Sequence, residues 1–213
     1  MARAGEEAKV IAAVERLGAL LVYPLANRAD IPSLWSVLYP RSEMRWAWDS
    51  EADPRVSHVW ILREQIARGR KVVYSKWFRG RAVFFSQPLF LAMLATLKPW
   101  QRERSQEARE ILQVLEDDSP QSSKDLRRNA GLRGKESERV WTRATKELWE
   151  QLTIVGTGEV PDGAFPSLEI GATRWIFEDL WEEAQRTQPD AALLEAQLPA
   201  SSAFGKFWRQ TLR

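Results

Sequence analysis

Helical and strand periodicities alternate along the first half of the chain. Residues 6–21 carry an apolar residue at every third or fourth position, which predicts an amphipathic helix. Residues 71–86 hold two β-rich runs on either side of Arg79 and Gly80, and this pattern predicts a β-hairpin. Further helices are predicted over residues 31–39, 56–69 and 87–98.

The second half shows a similar succession of patterns after a charged stretch at residues 100–108. Helices are predicted over residues 108–120, 124–132 and 136–151, and strands over residues 152–158 and 172–179. Three helices followed by a hairpin is the order of elements in a winged helix. The sequence therefore predicts an α+β fold, mostly helical with small β-hairpins, built from two winged helix-turn-helix modules in tandem.

These elements predict three parts of the chain. Residues 1–100 form an N-terminal helical module whose basic β-hairpin covers residues 71–86, residues 101–185 a winged-helix domain, and residues 186–213 a C-terminal helical tail. Both halves show helices followed by a hairpin, although no sequence repeat stands out at a fixed period.

Charge is distributed unevenly along a chain whose net charge is only +2. Residues 55–86 hold eight Arg and Lys against the single acid Glu64, while residues 178–195 hold six acids against Arg186. Such asymmetry permits a basic face on a nearly neutral protein. No cysteine is present, which excludes disulfides and thiolate zinc sites, and no apolar run is long enough for a membrane span. We expect a cytoplasmic location.

The helix predicted over residues 136–151 is the first candidate for DNA binding. Val140, Ala144 and Leu148 share one face, and basic residues occupy another. As the last helix before the hairpin, it stands where a helix-turn-helix module places its recognition helix in the major groove. The candidate contacts are Lys135, Arg139, Thr142, Arg143 and Lys146. An ordinary core helix with a salt-bridged solvent face is the alternative.

The hairpin is the second candidate, because it interleaves basic and aromatic residues. Lys76, Arg79 and Arg81 are candidate phosphate contacts, and the aromatic residues between them are candidates for base stacking. The alternative is that the aromatic residues pack inward while the charges face water.

The loop predicted at residues 157–169 opposes DNA binding, because it carries Glu159, Asp162 and Glu169 instead of basic residues. Many tryptophans and this acidic wing favour an alternative function as a protein-interaction module or homodimer. We expect no metal and no cofactor: His58 is the only histidine, and residues 49–53 lack the glycine and distal glutamate of a calcium loop.

Two segments resemble a known family. The first combines a Trp-x-Trp-Asp start, a tryptophan-rich helix and a Tyr-x-Lys-x-x-Arg hairpin. Its residues are Trp46, Trp48, Asp49, Trp60, Tyr74, Lys76 and Arg79. This segment, and residues 137–159 after it, resemble the AlkZ-related proteins, winged-helix relatives of the AlkZ-type DNA glycosylases. The likeness covers residues 17–185.

The resemblance implies tandem winged helices, a bacterial origin and DNA binding. AlkZ-type enzymes excise alkylated or crosslinked bases and depend on a Gln-x-Gln or Gln-x-Asp motif, whose positions here hold Leu21 and Tyr23. Leucine can neither orient a water nor stabilise a developing sugar cation. The chain is also about half the usual length of such an enzyme.

These observations favour a non-catalytic winged-helix protein that associates with DNA through the helix at 136–151 and the hairpin at 71–81. A degenerate glycosylase relative that serves protein contacts or dimerisation is one alternative. An active DNA glycosylase with a non-standard site is the other.

Overall fold

The structure is a computed structural model that describes residues 4–26, 28, 30–45, 53–163 and 165–213. It confirms the α+β class, because helices pack with an antiparallel sheet of six strands. The Trp-x-Trp-Asp segment at residues 46–49 lies outside the described residues.

The first half runs from helix α1 to helix α4. Its elements are α1 (Ala4–Leu17), β1 (Ala19–Leu21), α2 (Leu34–Leu38), α3 (Pro54–Gly69), β2 (Val73–Phe78), β3 (Arg81–Phe85) and α4 (Gln87–Leu97), followed by a 3-10 turn at Pro99–Gln101. The second half begins with α5 (Gln106–Asp117), β4 (Gln121–Ser122), α6 (Ser123–Asn129), α7 (Glu138–Glu150), β5 (Ile154–Val160) and β6 (Ser167–Ala172). The last helices are α8 (Thr173–Ile176), α9 (Glu178–Arg186), α10 (Ala191–Gln197) and α11 (Ala203–Thr211).

The same order of elements occurs in both halves: helix, short strand, two helices and a hairpin. In each half the short strand pairs antiparallel with the second hairpin strand, β1 with β3 and β4 with β6. The sheet order is β1-β3-β2-β5-β6-β4, so the two halves meet where β2 pairs with β5. One continuous sheet therefore links the regions 1–100 and 101–185, whose division into domains stays a prediction.

The first helix ends earlier than the predicted range of residues 6–21. It ends at Leu17, because Gly18 has a φ of 77° and leaves the helical conformation. The apolar residues Ala19–Leu21 then form the edge strand β1, with Leu21 fully buried. A short apolar run fits a helix or a buried strand equally well, so its periodicity alone did not separate them.

The second strand of the last hairpin was predicted at the wrong place. Strand β6 covers Ser167–Ala172 instead of residues 172–179. Residues 173–179 contain α8 and the start of α9. The β-rich composition of residues 173–177 is overridden by tertiary structure. Thr173, for example, is fully buried and donates its hydroxyl to the Leu152 carbonyl at 2.7 Å.

The C-terminal helix α11 packs on the first hairpin. Phe204 and Phe207 lie edge-on to Phe78, with ring centroids 4.8 and 5.3 Å apart, and Phe207 also lies edge-on to Trp77 at 4.9 Å. The tail therefore completes the core cluster on this side of the sheet. Edge-to-face pairs of this kind add about 0.5–1.5 kcal/mol each beyond their burial.

Replacing Gly156 with alanine is expected to lower the free energy of unfolding by about 1–3 kcal/mol, the usual cost of overpacking. A Cβ at this position would lie 2.1 Å from Cδ1 of the buried Tyr74 ring, at the point where β2 pairs with β5. Denaturant unfolding measures the change. Gly5→Ala is the matched control, because nothing lies within 4 Å of its added Cβ. Equal stabilities of the two variants would contradict the tight β2–β5 contact.

Candidate nucleic-acid interface

Helix α7 has a core side and a solvent side, as its spacing predicts. Ala144 and Leu148 are buried in a cluster shared with α5 and β6, whereas Val140 is only half-buried. Arg139 and Arg143 are exposed. The helix can thus be anchored in the core while it presents cations to solvent.

Two of the α7 cations lie beside acids. Arg143 approaches Glu107 at 3.4 Å and Lys146 approaches Glu150 at 3.8 Å, with both cations well exposed. Exposed pairs contribute about 0–1 kcal/mol, so they restrain these cations little. Arg139 makes no ion pair with another described residue.

A groove between α7 and the tip of the first hairpin brings the two predicted clusters together. It has a volume of about 540 Å³ and is lined by Lys76 and Arg79 from the hairpin and by Thr142 and Lys146 from α7. Half of the eight predicted site residues therefore share one concave surface. The pairing of β2 with β5 places them there, since α7 lies against β2.

The remaining predicted residues lie elsewhere. Arg81 is exposed at the start of β3. Lys135 belongs to a second basic surface at the turn between α6 and α7. The lining residues of that surface are Lys124, Arg127, Arg128, Leu132, Arg133, Gly134, Lys135 and Glu138.

Arg127 stabilises the turn between α6 and α7. It donates hydrogen bonds to the carbonyls of Leu132 at 2.8 Å and Gly134 at 2.7 Å, and it pairs with Glu138 at 2.5 Å. Lys124, Arg127 and Arg128 are not among the predicted site residues, although the run Lys-Asp-Leu-Arg-Arg marks this helix as basic.

The aromatic residues of the hairpin do not stack on bases. Tyr74, Trp77 and Phe78 are 2%, 0% and 0% exposed, so the inward-packing alternative is correct for them. In the tip between the two strands, Arg79 and Gly80 are exposed and have φ values of 54° and 72°. The hairpin therefore exposes a charged side chain at its tip, while its aromatic rings are buried in the core.

The acidic wing is not a free acidic surface. Glu159, in β5, has a side chain that is 9% exposed and pairs with Arg63 at 2.6 Å. Glu169 accepts a hydrogen bond from the Thr157 hydroxyl at 2.6 Å, and Asp162 accepts one from Ser167 at 2.8 Å. Each of the three acids predicted in the wing therefore has a partner within the protein.

The pair Arg63–Glu159 is the centre of a buried polar network between α3 and β5. The two side chains are 4% and 9% exposed, and Arg63 also donates to the Tyr74 hydroxyl at 3.2 Å. Trp60 donates its ring N–H to the Glu159 carboxylate at 3.0 Å. The Arg63 guanidinium carbon lies over the Trp60 ring, 4.1 Å from the ring centroid. The network joins the two halves of the chain.

Lys76 lies half-buried beside this network. Burial lowers the pKa of its amine, the nearby Arg63 guanidinium lowers it further, and the Glu159 carboxylate opposes both. Among the described residues no carboxylate pairs with Lys76. It is therefore a cation that burial and a neighbouring charge push towards its neutral form.

Tyr23, at the second position compared with the AlkZ-type motif, borders the same network. Its hydroxyl donates to the Val56 carbonyl at 2.9 Å. Burial raises the pKa of Tyr23 to about 12, and the Arg63 guanidinium opposes this rise. Leu21, at the first position, has its side chain in the core.

In the folded protein, the pKa of all three tyrosine hydroxyls is expected to lie above the ordinary value of 10.0. Burial is the largest cause in each case and raises the pKa of Tyr23, Tyr39 and Tyr74. Because these pKa values are raised only in the folded state, the buried neutral hydroxyls contribute fully to the free energy of unfolding below pH 10. For Tyr23 this contribution is lost as the pH rises towards 12. Tyrosinate absorbance titrated in folded and denaturant-unfolded protein measures this. Coinciding curves would contradict the burial.

Other chemistry is sparse in the described part of the chain. His58 approaches the Tyr39 hydroxyl at 2.6 Å and the Glu6 carboxylate at 3.2 Å. Among the residues that the structure describes, no group of three or more His, Asp or Glu could hold a metal ion. None of the helices there is both long enough and apolar enough to cross a membrane.

Comparison with known protein families places the chain. A family model described as AlkZ related matches residues 6–193, which is most of the 213 residues. The chain belongs to the AlkZ-related family. None of the curated proteins and none of the solved structures matches it. The AlkZ-related match includes both hairpins and α7, so the basic groove lies within the matched region.

Proposed function

We propose that this AlkZ-related protein associates with double-stranded DNA through α7 and the β2–β3 hairpin. Both halves are winged-helix modules in this proposal, with α3 and α7 as their third helices. Family membership supports it, because it suggests a relative of DNA glycosylases. The repeated order of helix, strand, two helices and hairpin supports the winged-helix assignment.

The groove at α7 is the observation that carries the proposal. Residues that are distant in sequence, Lys76 and Arg79 on one side and Lys146 on the other, converge on one open surface. Lysine and arginine side chains bind DNA mainly through phosphates, and each such contact adds to the salt dependence of binding. Thr142 adds a hydroxyl suited to phosphate or base edges.

The wing supports the same proposal. Cations lie beside two of its three acids, since Glu159 pairs with Arg63 and Asp162 lies 3.4 Å from Lys124. The third acid, Glu169, keeps its charge and accepts a hydrogen bond from Thr157. A second basic surface, with Arg133 and Lys135, lies at the turn that precedes α7.

A double variant with Arg139→Ala and Arg143→Ala tests the helix as the contact surface. We expect weaker binding to a labelled duplex and a log–log salt slope that is about two units shallower, because roughly 0.9 counterions are released per contact. Fluorescence anisotropy over a salt series measures both. Arg186→Ala is the matched control, since Arg186 is a well-exposed arginine in the acidic segment. Unchanged binding by the double variant rejects α7 as the contact.

A non-catalytic role is part of the proposal. Burial of Leu21 in the core leaves no polar side chain at the first motif position for activating a water. Incubation with alkylated duplex DNA, followed by chromatography for free bases, is expected to give no release above the no-protein control. Release of free base would contradict the non-catalytic role and revive the glycosylase alternative.

A protein-interaction module is the second candidate function. Trp60 and Ile61 follow each other on α3 and are 42% and 50% exposed, so two large apolar side chains lie at the surface of one helix. A sizing column with and without duplex DNA separates the candidates. A dimer that forms without DNA and does not shift when DNA is added favours this second candidate.

A further inference from the structure

Lys76 differs from the other cations of the groove in its surroundings. It lies in the middle of strand β2, between the buried residues Ser75 and Trp77, and its side chain lines the groove. The nearby carboxylates are already engaged, Glu150 with Lys146 and Glu159 with Arg63. A half-buried amine without a carboxylate partner among the described residues is costly to keep charged.

Such surroundings are those of a nucleophilic lysine. An amine that is removed from water and placed near another cation loses its proton more readily, and the neutral amine attacks carbonyl carbons. The lowered pKa of Lys76 has these two causes, burial and the Arg63 guanidinium. The groove gives this amine open access to a ligand.

DNA presents a carbonyl carbon to such an amine where a base is missing. The sugar at an abasic site opens to an aldehyde at C1′, and the flanking phosphates remain. The exposed cations Arg79 and Lys146 line the same groove as Lys76 and are its phosphate partners in this inference. Trp141 and Trp149 form an apolar wall next to them.

We propose that the groove binds abasic DNA and that Lys76 forms an imine with its aldehyde. The inference rests on the proposed association with DNA. The neutral Nζ attacks C1′ and a C–N bond forms. The two protons of the amine are transferred to the former carbonyl oxygen, which leaves as water as the nitrogen lone pair forms the C=N bond of the imine. The step is reversible by hydrolysis and needs neither an oxidant nor a reductant.

Trapping with borohydride tests the inference. The full chain is incubated with a labelled duplex that carries one abasic site, borohydride is added, and the covalent adduct is separated on a denaturing gel. We expect an adduct that forms roughly tenfold faster in the natural protein than in Lys76→Arg, since arginine keeps the charge but stays protonated. Lys206→Arg is the matched control, an exposed lysine on α11, and is expected to react like the natural protein.

Peptide mass spectrometry of the natural protein's adduct makes the test independent of how the variant folds. Attachment at Lys76 supports the inference, and attachment spread over exposed lysines or the N-terminus overturns it, as does equal trapping by Lys76→Arg. Anisotropy with the same duplex, without borohydride, separates the two proposals. Binding without trapping at Lys76 rejects the imine alone, whereas no binding to abasic or intact duplex rejects the DNA association as well.

Discussion

Replacing Arg63 with methionine is expected to lower the free energy of unfolding by about 3–5 kcal/mol. Methionine fills similar space but leaves the Glu159 carboxylate without its partner at a position that is only 9% exposed. It also removes the hydrogen bond to the Tyr74 hydroxyl and the guanidinium over the Trp60 ring. Denaturant unfolding, followed by tryptophan fluorescence, measures the loss.

A double replacement separates a broken ion pair from lost packing. Arg63→Met together with Glu159→Leu is expected to recover much of the loss, because a buried pair replaced by apolar residues is often neutral or stabilising. Arg186→Met is the control for an exposed pair: Arg186 lies 3.8 Å from Glu182, and its loss is expected to cost less than about 1 kcal/mol. An equally small effect of Arg63→Met would contradict the burial of the network.

Removing four cations from the proposed interface is expected to weaken duplex binding roughly a thousandfold at about 0.1 M salt. The variant combines Lys135→Ala, Arg139→Ala, Lys146→Ala and Arg79→Asn. Asparagine is chosen for the last because Arg79 has a φ of 54°, a conformation that asparagine tolerates better than alanine. Four lost contacts remove about 3.6 units of log–log salt slope, which is the basis of this magnitude.

The fold of this variant is checked by its unfolding transition, which is expected to change little because all four side chains are exposed. The other four candidate contacts stay unchanged and account for residual binding: Lys76, Arg81, Thr142 and Arg143. If the natural fold is kept and the affinity falls by less than tenfold, DNA is bound at another surface or not through these phosphates.

Local patterns predicted much of the architecture. The amphipathic face of α7 and the Arg-Gly turn of the first hairpin are both local signals, and both elements are present. The edge strand β1 was missed because Ala19–Leu21 continues the apolar spacing of α1. The pairing of β2 with β5 rests on contacts between distant residues, which periodicity cannot reveal.

In the candidate site, too, local signals identified residues, whereas their arrangement depends on contacts between distant parts of the chain. Lys76, Arg79 and Lys146 were identified by residue type and neighbourhood, but their convergence on one groove depends on the β2–β5 pairing. The acid Glu159 was assigned to a solvent-exposed wing because its partner, Arg63, lies 96 positions earlier in the chain. The charge of Glu159 therefore predicted an exposed side chain, whereas the structure places it in an ion pair that is almost fully buried.

The salt dependence of duplex binding tests the association with DNA most directly. The equilibrium constant of the natural protein for an intact labelled duplex is measured by anisotropy from about 0.05 to 0.2 M salt, and its logarithm is plotted against the logarithm of the salt concentration. We predict a straight line with a slope of about −4 or steeper, since at least four cations contact phosphates. No complex at the lowest salt, or a slope near zero, would contradict DNA binding through this basic surface.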